Sequence, residues 1–231
     1  MRAPNRITAS GHLPVACAPC CSGVGALRTQ CVPTSMYDVS ETTHGRLIES
    51  AQELLWERGY AATSPKAIQK RAEAGQGSMY HHFPGKADLA LAAMRRSAGQ
   101  LRDSVDGVLS GPGDPYQRLC AYLTCQRDVL RGCRIGRMTA DPEVMASPAL
   151  REPLEETFAW LQGRLAEVIA QAQDAGTLAA HLDPVAMAAT IAAVVQGGYV
   201  LARAVGSEES FELAIAGVLA LMATAHLEES E

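Results

Sequence analysis

The stretch GQGSMYHHFPGK, Gly75 to Lys86, gathers residue types suited to touching another polymer. Gln76 carries a paired donor and acceptor that match the exposed edge of adenine, and Ser78 can bond to a base or a phosphate. Gly77 has no side chain to hold a partner's backbone away. Tyr80 and His81, about 100° apart on a helix, can both face one duplex. Lys86 follows the Pro84-Gly85 break, where the amides of a new helix and an ammonium group suit a phosphate. Adjacent helical side chains diverge, which argues against a metal site at His81 and His82, and His82 reads as a packing or capping residue.

The elements that must position these groups are helices. Leu47, Ile48, Ala51, Leu54 and Leu55 follow the i, i+3, i+4, i+7 rule, with Thr42 or Thr43 to cap the start and Gly59 to end it. A second, short helix opens at TSPK with Thr63 or Ser64 as N-cap and Pro65 in its first turn; Ile68 and Ala72 face inward. Gly75 breaks it. A third helix from Gln76 to His82 follows, with Met79 and Phe83 inward, and a long fourth runs from about Lys86 toward Leu109. Two short helices across a tight turn read as a helix-turn-helix, whose second helix enters the major groove.

Charge agrees with this placement. Residues 58–86 carry five Lys or Arg against Glu73 alone, whereas residues 97–231 carry nine Lys or Arg against eighteen Asp or Glu. A basic patch on an acidic body is the footprint of a nucleic-acid reader with a separate second domain. A solvated charged face is the alternative reading of charge alone.

The run RLIESAQELLWERGYAATSPKAIQKRAEAGQGSMYHHFPGKADLALAAM, Arg46 to Met94, resembles the DNA-binding domain of the tetracycline-repressor (TetR) family. The resemblance implies an all-α, homodimeric transcriptional regulator, usually a repressor released from a palindromic operator by a small ligand, acting in the cytoplasm. It implies phosphate contacts for Ser64, Lys66, Tyr80 and Lys86, and base or nearby backbone contacts for Gln76, Gly77, Ser78 and His81. It also implies that an effector tilts the fourth helix and so changes the spacing of the two recognition helices. One departure stands out. The family's turn reads Ala-Gly-Val-Ser, whereas Ala72 here is followed by Glu73, Ala74 and Gly75, so the turn glycine is expected to have moved by two positions. Glu73 near DNA is unfavourable unless it faces away or pairs with Lys70 or Arg71.

The expected organisation is a disordered arm over residues 1–40, the helix-turn-helix domain over 41–86, and a ligand-binding and dimerisation domain over 87–231, about nine helices in all. The body's expected helices are Tyr116 to Arg131 with Leu119, Leu123 and Leu130 inward, a short one within Met138 to Ser147, Pro148 to Ala175, Pro184 to Val205, and a last one from Ser207 to about Glu228. GCRIG, ALREPLEETFAWLQGRL and VVQGGYVLARA resemble the LmrA/YxaF-like branch of the family, whose members often respond to drug- or flavonoid-type ligands. AMAATIAAVVQGGYVLARA and FELAIAGVLALMATA are apolar on more than one stripe. A helix of that kind buries two faces, and a second copy of the chain is the economical partner; burial in its own core is the alternative. Candidates for an apolar effector pocket are Tyr122, Met138, Met145, Phe158, Trp160, Met187, Gln196, Tyr199 and Arg203. Gln196 and Arg203 stand out in an apolar helix, where they could hold a ligand's polar group or pair across the dimer.

Other chemistries are less well supported. Cys120, Cys125 and Cys133 would permit a thiol sensor, though buried cysteine more often serves as a small hydrophobe. Cys17, Cys20, Cys31 and His12 could form a zinc or redox site and LPVAC hints at an export signal, but the arm more simply reads as functionless, an upstream extension with Met36 as the true start. Gly-x-Ser-x-Gly, a phosphate-binding glycine loop and His-Glu-x-x-His are all missing, so neither an enzyme nor a cofactor is expected. The longest apolar stretch is taken as Ala186 to Val195, too short to span a membrane. An architectural DNA-binding protein would not need a second domain of this size.

Overall fold

The computed structural model describes residues 42–226, and the expectations placed on the N-terminal arm lie outside them. Among the described residues there are nine α-helices and no strand, so the fold is all-α. The helices are α1 (Thr43–Arg58), α2 (Pro65–Arg71), α3 (Gln76–His82), α4 (Lys86–Leu109), α5 (Pro115–Thr124), α6 (Pro142–Ala146), α7 (Pro148–Asp174), α8 (Pro184–Val205) and α9 (Glu209–Thr224). A 3-10 turn, Gly136–Ala140, precedes α6.

Local signals set the helix ends. The Thr42 hydroxyl accepts from Gly45 N at 3.0 Å and the Ser64 hydroxyl from Ala67 N at 3.2 Å, each satisfying a first-turn amide that has no partner within the helix. Asp114 and Gln117 close a reciprocal capping box on α5. That helix stops at Thr124, short of the expected Arg131, and Leu130 is exposed. The backbone turns extended at Cys125, and the Arg127 guanidinium turns back onto the carbonyls of Tyr122, Leu123 and Cys125 and caps the helix end. Likewise α9 stops at Thr224.

Two buried clusters organise the chain. Leu47, Leu54, Ile68, Met79 and Leu89 centre the first, which also takes in Ile135, Met138, Val144, Leu150 and Leu154 from much later in the sequence. The second joins Val105 and Leu109 of α4 to α5, α7, α8 and α9. Helix α4 therefore belongs to both. Gly198 permits the close approach of α8 and α9: a β-carbon there would lie 2.8 Å from Phe211 Cδ2. One expectation is corrected. Pro184–Val205 is long and apolar enough to cross a membrane by length and composition, which Ala186 to Val195 alone is not. Here its Ala188, Ile191, Ala192 and Val195 are buried in the second cluster.

Candidate nucleic-acid interface and effector cavity

Helix α3 buries Met79 completely and seats Phe83 just beyond its end, which turns its other faces outward. Gln76, Gly77, Tyr80 and His81 are exposed and Ser78 is half-buried. Ser64 and Lys66, at the start of α2, are exposed as well. A β-carbon at Gly77 would meet nothing within 4 Å, so internal packing does not call for glycine there. Lys86 is half-buried with its ammonium 4.0 Å from the Tyr60 ring centroid, a cation–π contact that steers the charge at the start of α4.

The turn between α2 and α3 corrects an expectation. Glu73, not a displaced glycine, holds the left-handed conformation at φ 50°, and Gly75 is an ordinary N-cap at φ −69°. Arg46 Nε donates to Ala72 O at 3.1 Å and helps close the end of α2. Arg71 pairs with Glu57 at 3.0 Å, so it does not neutralise Glu73. His82 is exposed, with its ring edge-on to His44 at 5.5 Å between ring centroids.

The segment between α5 and α7 grips α1. The Trp56 indole donates to Gly132 O at 2.9 Å, and its ring lies 3.4 Å from Arg131 Cζ and 3.9 Å from Arg134 Cζ. Both arginines pair with Glu53, Arg131 at 2.8 Å. Burial pushes the Glu53 carboxyl up, but the hydrogen bonds and charges of these two arginines outweigh it and hold the group below the usual carboxylate range. Arg137 donates to the Trp56 carbonyl at the end of α1, and Asp141 Oδ2 accepts from Ala61 N at 2.9 Å.

Behind this grip lies a cavity of about 640 Å³, walled by the end of α1, the 3-10 turn, Phe158 of α7 and the outer half of α8. Cys133 lines it, and burial pushes its thiol pKa up. Gly136 leaves room for Gln196: a β-carbon there would collide with Gln196 Oε1. Tyr199 stacks on Phe211 at 4.9 Å between ring centroids. Burial raises the Tyr199 hydroxyl far above its ordinary range and keeps it a neutral donor.

Residues 47–93 match the family described as bacterial regulatory proteins, tetR family, and residues 115–218 match the tetracyclin repressor-like C-terminal domain. The chain belongs to the TetR family of transcriptional regulators. Among its relatives is the transcriptional regulator AcuR of Cereibacter sphaeroides, 30% identical over 152 residues, or 63% of this chain and 69% of that one. LmrA of Bacillus subtilis is 28% identical over 121 residues, 49% of this chain and 63% of its own length. The repressor NemR of Escherichia coli K12 is 24% identical over 189 residues, 79% and 94% of the two chains. Of solved structures, reduced E. coli NemR superposes with a TM-score of 0.71 at 22% identity, covering 82% of this chain and 100% of that one. A TetR regulatory protein from Rhodobacter sphaeroides gives 0.69 at 27% identity, covering 77% and 97%.

In this TetR-family regulator the structure gathers Met138, Phe158, Gln196, Tyr199 and Arg203 around the cavity. It leaves the other four pocket candidates elsewhere. Tyr122 is buried beneath Arg127, Met145 is exposed on α6, Trp160 is half-buried near Arg102, and Met187 is half-buried near the start of α8. Sequence reasoning missed Arg58, Arg137 and Asp141 as cavity residues. The nearby stretch RGCRIG, which reads as a break, supplies Gly132, Cys133 and Gly136 to the cavity wall.

Proposed function

We propose that this TetR-family regulator is a homodimeric repressor that binds a palindromic operator in the cytoplasm and is released by a small molecule held in the cavity. Of the proposed DNA contacts, Gln76, Gly77, Ser78 and His81 meet bases or adjacent backbone, and Ser64, Lys66, Tyr80 and Lys86 hold phosphates. The observation that carries the effector reading is the shared wall: the cavity is bounded by Arg58 and Gly59, at the end of a helix of the DNA-binding unit, and by α8 of the body. A ligand there touches both, so it need not act through α4 alone. Dimerisation is supported by α8 and α9, where Val200, Leu201, Val205, Leu213 and Leu221 are each more than half exposed. The two recognition helices of such a dimer would sit about 34–36 Å apart.

Against Cys133 as the thiol of a redox-sensing alternative, burial favours its protonated, less reactive form. The names of the relatives are those of regulators, which supports a protein without enzymatic activity. Mapping the bound sites across the genome and then titrating released candidates against the protein, with and without operator DNA, tests the reading. A releasing ligand should bind about 5–150-fold more weakly when operator is present. Equal affinities in the two titrations would remove ligand release. Replacing Leu201 and Leu213 by Arg should yield monomers in sedimentation; an unchanged dimer would move the interface elsewhere.

A further inference from the structure

The cavity wall carries more positive charge than its own carboxylate balances. Arg58 ends α1, Arg137 lies in the 3-10 turn and Arg203 sits in the last turn of α8, and all three line the same space. Two of them converge over Gly132. A β-carbon at that position would lie 3.7 Å from Arg203 Cδ and 3.9 Å from Arg137 Cγ, so both stems pass within van der Waals reach of the same point. Among the described residues, neither Arg58, Arg137 nor Arg203 makes an ion pair, although Arg131 and Arg134 next door both do. Asp141, the acidic lining residue, already accepts from the amides of Ala61, Glu143 and Val144. Burial and the charges of Arg203 and Arg131 push Arg137 below its ordinary range, yet a guanidinium stays charged. Arg58 and Arg203 are exposed and Arg137 is half-buried, so the cluster is reachable from solvent and its mutual repulsion is reduced when an anion joins it.

The rest of the wall narrows the anion's identity. Met138 and Phe158 offer apolar surface, and Gln196 and Tyr199 offer neutral polar groups. A guanidinium fork matches the two oxygens of a carboxylate. A volume of about 640 Å³ falls within the range of small-molecule pockets.

We propose that the effector is a small organic carboxylate with an apolar body, its anionic group held by Arg137 and Arg203 and drawn toward Arg58. This rests on the effector reading above and names the class of molecule. Because Arg58 belongs to α1 while Arg203 belongs to α8, the bound carboxylate ties the DNA-binding unit to the body through its own charge. A neutral ligand of the same shape cannot make that tie.

The test uses benzoate and octanoate against benzamide and octanamide, with inorganic phosphate as a third arm, on the full chain. Binding is followed by thermal shift and by the emission of Trp56 and Trp160 together, and operator affinity is measured in parallel. The carboxylates should bind about tenfold or more tightly than their amides. Arg203→Met and Arg58→Met should abolish that preference, Arg203→Lys should restore part of it, and Arg95→Met, remote from the cavity, should not change it. Arg137 is left intact because it also anchors α1. Equal binding of acids and amides, no binding of either acid, or a preference that survives in Arg203→Met and Arg58→Met would each overturn the proposal. Phosphate binding as tightly as the carboxylates would overturn the carboxylate assignment. A loss of dimer in Arg203→Met with carboxylate binding intact would assign Arg203 to the subunit contact and overturn its role here. The two readings fail separately. Arginine-dependent carboxylate binding that leaves operator affinity unchanged sinks ligand release and keeps the site, whereas amides that release operator equally well from the arginine variants do the reverse.

Discussion

Replacing Gly77 by Ala should make the protein more stable and a poorer binder of DNA at the same time. Gly77 is the second residue of α3, exposed, with nothing within 4 Å of an added β-carbon. Helical glycine costs about 0.5–1 kcal/mol relative to alanine, so the substitution should add up to that amount of stability. For a chain of this size the melting temperature should rise by about 1–4 °C. On the DNA side the same methyl group lands on the face of α3 that we propose meets the duplex. Overfilling a close-packed contact costs about 1–3 kcal/mol, which corresponds to about 5–150-fold in affinity at each half-site. Thermal denaturation and operator titration at one fixed salt concentration measure both. Wild-type operator affinity in Gly77→Ala would show that the backbone at this position does not approach DNA. A lower melting temperature would show that the fold itself requires the glycine.

Glu73→Gly should relieve the left-handed strain of about 1–2 kcal/mol, less the freedom glycine regains in the unfolded chain, and tighten DNA binding by removing a negative charge; calorimetry and operator titration read the two effects. Gly198→Ala should destabilise by about 1–3 kcal/mol, because its β-carbon meets Phe211, and should disturb the Tyr199 stack that lines the cavity. Glu53→Gln should cost about 1 kcal/mol at neutral pH in denaturant unfolding. Since the Glu53 pKa lies below 4.5 in the folded protein, that difference should be complete above pH 4.5 and shrink as the pH falls through the folded value. Gln76→Ala should relax preference at one base position per half-site by about 1–3 kcal/mol, whereas Lys86→Ala should weaken all sequences alike and lower the salt slope.

The first four helices were legible because their signals are local. Caps at Thr42 and Ser64, the apolar period of α1, and the breaks at Gly59 and Pro84-Gly85 each act within one turn. The turn glycine was misplaced because a glutamate in the left-handed region has no sequence signature; only the backbone shows it. Helix α5 was overrun because it ends at an extended Cys125 capped by a side chain returning from Arg127, with no glycine or proline to mark the stop. The apolar half of the cavity was found from residue type, through Met138, Phe158 and Tyr199. Of its charged half only Arg203 was found, as an arginine in an apolar helix; Arg58, 145 positions earlier, was not, since nothing in its neighbourhood marks it as a partner of Arg203.

The buried cluster around α1 to α3 takes Ile135, Met138, Val144, Leu150 and Leu154 from the far side of the chain. The DNA reader is thus not a detachable cartridge. A chimaera that joins residues 42–86 to the body of another regulator would strip away the apolar lid those five side chains provide and expose the underside of α1. Grafting a new operator specificity onto this body, or this reader onto another, should therefore carry residues 131–154 along with the headpiece or keep the headpiece and change only the exposed face of α3.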